Sequence, residues 1–251
     1  MTAPGGEAGW HVAVVVPARD EAATIGACLR SVRRAVVALG GARLGVAISA
    51  DIVVVADACV DDTARRARRA LGRHGVVVEV RSGSVGAARG RGTDLAIRRS
   101  PLPPEHTWIA ATDGDSAVPR SWLTTQLTIA LDGAVGVAGL VRLGRDGDRR
   151  GRLRASFADT YDLGTGGAHR HVHGANLGAR ADAYLAAGGW PAIPSGEDHD
   201  LWRRLRDHGP TVSTTASYVH TSARRTGRAP GGFADDLAGL AALDRPSAEP
   251  A

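Results

Sequence analysis

Trp108-Ile109-Ala110-Ala111-Thr112-Asp113-Gly114-Asp115 is the stretch on which the reading of this chain turns. An apolar segment of strand length ends abruptly in two aspartates, one residue apart. Side chains alternate along a strand, so acids at this spacing share a face. The carboxyl ends of strands are where open α/β sheets bind their ligands. Two close carboxylates repel each other unless a cation sits between them. Hard oxygen donors suit Mg2+ or Mn2+, ions that bridge a few carboxylates to substrate phosphates. The segment therefore predicts a metal–diphosphate site. Asp-Gly-Asp is also ordinary turn chemistry, so its surroundings must decide between the two.

Outward from that segment the first half of the chain alternates strands and helices. Residues 11–16 form a nearly continuous apolar run, as in a strand covered on both faces, and Pro17 stops it. A helix is expected from about 21 to 39, closed by Gly40-Gly41. A second strand follows at 51–56, and Asp61-Asp62-Thr63 then cap an Arg/Ala-rich helix to about 73. Residues 76–80 read as a third strand, about 86–99 as a helix, 107–112 as the fourth strand and 134–141 as another. Pro119 and Ser121 start the helix between those last two. Strands separated by helices of this length predict a parallel sheet with right-handed crossovers. Residues 142–167 are rich in Gly, Arg and Asp with weak periodicity, a candidate acceptor-binding loop or lid. Helices are expected at 181–187 and 198–207 and a strand at 212–219.

The composition is that of an ordinary globular chain. With 251 residues it can bury a sizeable core. No apolar run reaches membrane-spanning length, and residues 1–9 lack the basic start and apolar stretch of a secretory signal. The only cysteines, Cys28 and Cys59, make neither a disulfide framework nor a metal-binding pattern, so a cytoplasmic setting is expected. The formal charge of +5 raises nucleic acid as a partner. Against it, all 31 strong bases are arginines spread along the chain, and aromatics for base stacking are few. No nucleic-acid partner is expected.

The loops after the strands carry the remaining chemistry. Pro17-Ala18-Arg19-Asp20-Glu21 follows the first strand, with a helix N-terminus behind it that suits a nucleotide. Asp57 stands just past the second strand, placed to accept a hydrogen bond from a base N–H, whereas Asp61, Asp62 and Thr63 are better explained as caps. Around Arg89, Gly90 and Gly92 let backbone approach a ligand and arginines can grip phosphate, although neither the P-loop nor the Gly-x-Gly-x-x-Gly pattern is met. Gly196-Glu197-Asp198 opens a helix, where a carboxylate can serve as general base or simply favour the helix dipole. His220 at a strand end can ligate a metal, and Arg224, Arg225 and Arg228 beyond it can hold a diphosphate or form a solvated basic loop. His171 and His173, just before Asn176, are candidates for the acceptor side. Acidic or glycine-rich turns thus fall after successive strands, all on the edge where a parallel sheet binds ligands.

That order resembles glycosyltransferase family 2, nucleotide-sugar enzymes of GT-A fold, over about residues 12–228. The family's Pro-x-x-Asn-Glu is similar to Pro17-Ala18-Arg19-Asp20-Glu21. Its Asp-Asp-Gly-Ser-x-Asp-x-Thr is similar to Ala56 through Thr63, with only the second aspartate of the pair, Asp57, remaining. Ala88-Arg89-Gly90-Arg91-Gly92 resembles Ala-Arg-Asn-x-Gly with the Asn lost, and Asp113-Gly114-Asp115 matches Asp-x-Asp directly. Gly188-Gly189-Trp190 followed by Glu197-Asp198 resembles the Gly-Gly-Phe…Glu-Asp signature, and the Gln-x-x-Arg-Trp motif of processive synthases is absent.

The resemblance implies an α/β GT-A catalytic domain over residues 1–244, with a mostly parallel Rossmann-like sheet flanked by helices. Residues 10–141 would form the nucleotide-sugar-binding half and 142–230 the acceptor half, with a disordered tail at 245–251. It implies transfer of a sugar from a nucleoside-diphosphate sugar, UDP favoured, to a hydroxyl acceptor with inversion. Asp113, Asp115 and His220 would hold Mg2+ or Mn2+. Pro17, Ala18, Arg19, Glu21, Asp57, Arg89, Gly114, Arg224, Arg225 and Arg228 would join Asp113 and Asp115 around the donor. Asp198 would be the base with Glu197 beside it, and Trp190 would join His173 and Asn176 on the acceptor side. A retaining glycosyltransferase, a nucleotidyltransferase and a non-catalytic nucleotide-sugar-binding protein remain the alternatives.

Overall fold

A computed structural model of the protein describes residues 9–144 and 167–222. Its frame is a seven-stranded sheet in the order β3-β2-β1-β4-β6-β5-β7. The strands are β1 (Trp10–Ala18), β2 (Ile48–Asp57), β3 (Val76–Val80), β4 (Thr107–Ala111), β5 (Gly136–Leu143), β6 (Leu177–Arg180) and β7 (Thr211–Thr221). The helices are α1 (Ile25–Gly40), α2 (Thr63–Leu71), α3 (Val85–Arg99), α4 (Trp122–Leu131), α5 (Ala181–Ala186) and α6 (Glu197–Leu205). Strands β1 to β4 pair in parallel, β5 pairs in parallel with β7, and β6 runs antiparallel between β4 and β5. The expected alternation is therefore present. The exception is β6, whose four residues Leu-Gly-Ala-Arg are too short and too weakly apolar to carry a period.

Covering the sheet on both faces explains the apolar runs. Along β1, Val12, Val14 and Val16 point to one core with α1, α2 and α4, while Ala13 and Val15 point to another with α3. A third cluster, built around Leu177, Tyr184, Trp190, Leu201 and Leu205, seats α5 and α6 beside β5 and β6. Helix α3 lies close because Gly92 has no side chain: a Cβ there would meet Val15 at 2.6 Å and Val55 at 2.7 Å. The carboxyl ends of β1, β2, β3, β4, β5 and β7 share one edge, since these strands are parallel. Antiparallel β6 starts at that same edge, its Leu177 facing Ala111. Among the described residues, the loops that follow β1, β2, β3 and β4 open at that edge.

Candidate active site at the carboxyl edge of the sheet

The acidic segment is both a turn and a site. Strand β4 stops at Ala111, and the amide of Ser116 donates to the carbonyl of Asp113 at 3.0 Å, so Asp113 to Ser116 close a turn instead of extending the strand. The loop after β1 holds that turn through its backbone: Gly114 N donates to the Pro17 carbonyl at 3.2 Å. Gly114 is needed there, because a Cβ would meet Ala18, Glu21 and Pro17 at 3.0–3.3 Å. Pro17 and Ala18 are buried and Arg19 is exposed, so the first two support the turn and Arg19 alone of the three reaches solvent. Glu21 is buried too, accepting from the Thr24 hydroxyl at 2.7 Å while its amide donates to Thr63 Oγ1 at 2.7 Å. In this structure it braces two loops.

Arg89 departs furthest from its expected role. It is 3% exposed. One Nη donates to Asp113 Oδ1 at 2.6 Å and the other to Glu197. Its guanidinium lies 5.2 Å from the Trp190 ring centroid, and Gly174 covers it so closely that any Cβ would collide with it. Each Nη is held by a carboxylate of the chain, while the buried Nε has no partner among the described residues; in this structure Arg89 orients Asp113. Glu197 is buried and pairs with Arg89. Trp190 is buried against the same arginine, and its amide donates to the Tyr184 hydroxyl at 3.1 Å. It forms a wall of this cluster. Asn176 is fully buried: its Oδ1 accepts from Trp122 Nε1 at 2.8 Å and Ser217 Oγ at 3.1 Å, and its Nδ2 donates to the Leu140 carbonyl at 2.9 Å. Asn176 therefore satisfies core donors and does not face an acceptor.

Asp115 sits on the other side of the turn, accepting from the Thr221 hydroxyl at 3.3 Å, while Ser116 Oγ donates to Thr221 Oγ1 at 3.1 Å. Thr221 ends β7, and strand alternation sends the preceding residue to the opposite face. His220 accordingly packs edge-on to Tyr218 at 5.6 Å at an exposed position, where partial desolvation of its ring, and after it the charge of Arg142, lower its pKa. Among the described residues the three-residue group whose ligand atoms converge is Asp20, Cys59 and Asp61, not Asp113, Asp115 and His220. In this structure the residue that meets Asp115 is Thr221, one step of register along β7 from His220. Asp20, Cys59 and Asp61 are themselves satisfied locally: Asp20 accepts from Val60 N, Asp61 from Thr63 N and Ala22 N, and Cys59 contacts the Ala18 carbonyl.

The pair Asp113 and Asp115 nonetheless fits a hard divalent ion in donor chemistry. Burial pushes the Cys28 thiol far above its ordinary range, and the negative charges of Asp115, Asp113 and Glu21 push it further. Arg89 offsets part of that charge through one oxygen of Asp113. Oxygen donors in excess over bound cations are what Mg2+ or Mn2+ requires.

Asp57 is buried at the end of β2, its Oδ1 accepting from Ser82 N at 2.6 Å, and its Oδ2 has no partner among the described residues. The next residue, Ala58, takes φ +50°, a left-handed conformation that costs a non-glycine residue about 1–2 kcal/mol. Asp198 lies in the first turn of α6, half-buried, with Oδ2 accepting from Gly174 N at 2.8 Å and Oδ1 from His199 N at 2.8 Å. Near it, burial pushes His173 down to about 4; Asp198 opposes the shift, and His171, His199 and His169 add to it. His173 stacks on His171 at 6.2 Å between centroids. Asp61 rather than Asp62 caps α2 through its side chain. Arg224, Arg225 and Arg228, most of the 142–173 connection and the 245–251 tail lie outside the described residues. Sequence reading missed Thr221, Ser82 and Cys28, which touch the acids only through the fold.

Known proteins share this architecture. Residues 8–230 match the family model described as Glycosyltransferase like family 2. No curated protein matches the chain. Among solved structures, TarS 1-349 of S. aureus in complex with UDP-GlcNAc superposes with a TM-score of 0.62 at 16% identity, covering 92% of this chain and 64% of that one. Mannosyltransferase PcManGT from Pyrobaculum calidifontis in complex with GDP-Man and Mn2+ gives 0.58 at 20% identity, over 92% and 69%. Glucosyl-3-phosphoglycerate synthase from Mycobacterium tuberculosis, in complex with Mn2+, UDP and glucosyl-3-phosphoglycerate, gives 0.52 at 19% identity, over 93% and 77%. The likeness is one of fold, the GT-A fold, and the chain spans under two thirds of the TarS structure's length. No helix among the described residues is long and apolar enough to cross a membrane.

Proposed function

The chain belongs to glycosyltransferase like family 2, and from that premise we propose that it transfers a sugar from a nucleoside-diphosphate sugar, UDP first among the nucleotides, to a hydroxyl acceptor with inversion. One observation carries the reading: Asp57 at the end of β2, Asp113 and Asp115 in the turn after β4, and Asp198 in the first turn of α6 each hold a hydrogen bond that orients the carboxylate. Asp113 and Asp115 would hold Mg2+ or Mn2+, which when bound neutralises charge on the leaving diphosphate. Asp57 offers its remaining oxygen to a base N–H. Arg89, pinned by Glu197, keeps Asp113 in place. Asp198 takes the acceptor's proton, its carboxylate aimed by the Gly174 and His199 amides. His173 beside it stays neutral near pH 7, because burial holds its pKa at about 4.

The test is a calorimetric and thermal-shift screen of UDP- and GDP-sugars with and without Mn2+, on the wild type and on Asp115→Ala. Binding that depends on Mn2+ in the wild type and disappears in the variant is expected. Equal affinity with and without Mn2+ would remove the metal from the proposal. NMR of the product anomer checks the stereochemistry, and a retained anomer would remove Asp198 from the role of base.

A further inference from the structure

A second concave surface lies between α1 and α2. It is a groove of about 710 Å3 whose walls are Arg30 and Arg33 from α1 and Arg65, Arg66 and Arg69 from α2, over a floor of alanines and Gly26. None of the carboxylates at the sheet edge lines it. The sequence explains how it arises: on α2 the small residues Ala64 and Ala67 and then Leu71 turn inward, which leaves four arginines on the outer side. Five arginines line this space, and among the described residues the carboxylate paired with any of them is Asp62, bound to Arg65 at the exposed rim. Arg33 and Arg66 each donate to a backbone carbonyl, of Ala70 at 2.8 Å and Ala22 at 3.1 Å, which fixes their stems and leaves their other N–H donors unspent. Arg30 and Arg69 make no hydrogen bond or ion pair among the described residues.

Like charges gathered this way make a positive field that attracts an anion. Guanidinium forks match phosphate oxygens two at a time, and forks from two helices surround such a group better than one helix can. The volume is that of a small-molecule site. A flat bilayer fits a concave groove poorly, and Val37 is the sole large apolar side chain exposed on these two helices. No aromatic lines the groove to stack a base.

We propose that the groove between α1 and α2 binds a compact polyphosphate anion, at a site separate from the acidic edge. The experiment is calorimetric titration of inorganic tripolyphosphate into the whole chain in excess EDTA, which silences any divalent-dependent donor binding. Saturable binding near one equivalent is expected, weakening as salt rises. In Arg30→Gln/Arg69→Gln the affinity should fall at least about tenfold, the loss of one charge-assisted contact or more. Asp115→Ala should bind as the wild type does, which separates this result from the fate of the glycosyl-transfer reading. As a second readout on the unaltered chain, tripolyphosphate should protect Arg30 and Arg69 from phenylglyoxal, mapped by mass spectrometry. Absence of saturable binding, unchanged affinity in the double variant, or equal labelling with and without the anion overturns the proposal. So does binding confined to phosphatidylglycerol vesicles or to duplex DNA.

Discussion

At Arg89 three distant parts of the chain meet: α3, the turn after β4 and the first turn of α6. A buried cation held by two carboxylates is favourable only while the set is complete. Breaking one member typically costs about 3–5 kcal/mol, because a charge is left without compensation. Arg89→Met should therefore lower stability by about that amount in urea melts, and Arg89→Met/Glu197→Gln should recover part of it. A loss below about 1 kcal/mol in the single variant would mean that Glu197 is not buried as described. Asp198 is tested by rate instead. A general base contributes about 10²–10⁴-fold, so Asp198→Asn should lower kcat by that factor while donor affinity stays unchanged. An unaltered kcat would exclude the role. The sequence pointed to Asp198 and Asp115 by residue type and place in the chain. It did not reveal that Glu197, one residue away from Asp198, turns inward, because side-chain direction on a helix is resolved only by what packs against it.

At the scale of the element, α3 shows how a weak local preference yields to packing. Ala favours a helix over Gly by about 1 kcal/mol, so Gly92→Ala looks stabilising on propensity alone. A Cβ at Gly92, however, would stand 2.6 Å from Val15 and 2.7 Å from Val55, both fully buried. Overpacking of this kind costs about 1–3 kcal/mol, and the contact is with branched side chains that cannot swing away. The net effect expected is destabilisation, read from the urea midpoint at unchanged m. A more stable Gly92→Ala would contradict the close approach of α3 to the sheet. The helix itself was legible from 86–99 in the sequence, and β3 from its valines. The antiparallel β6 was not, since its residues acquire strand character by pairing with β4 and β5.

For the whole molecule, pH is the probe that sums over sites. Burial lowers the pKa of His11, His169, His173 and His220. His173 reaches about 4 from an ordinary 6.5. Between those two values the unfolded chain binds more protons than the folded one, so stability rises with pH across the window. It is fully present above about 6.5 and is lost as pH falls toward about 4. Chemical denaturation at a series of pH values between those limits should show a progressive loss. A stability that stays flat down to about pH 4.5 would show that these rings are solvated rather than buried.

The chain's own pattern determined the alternating α/β order, the edge at which chemistry gathers and the acids that gather there, because hydrophobic period and turn residues are local properties. Tertiary structure alone decided which of those residues do what. One step of register along β7 put Thr221 and not His220 against Asp115. The meeting of three loops turned Arg89 from an expected phosphate grip into a buried brace. Two helices that each look merely basic in sequence became the two walls of one groove. Long-range contact sets direction, burial and charge balance, and none of these is encoded by spacing along the chain.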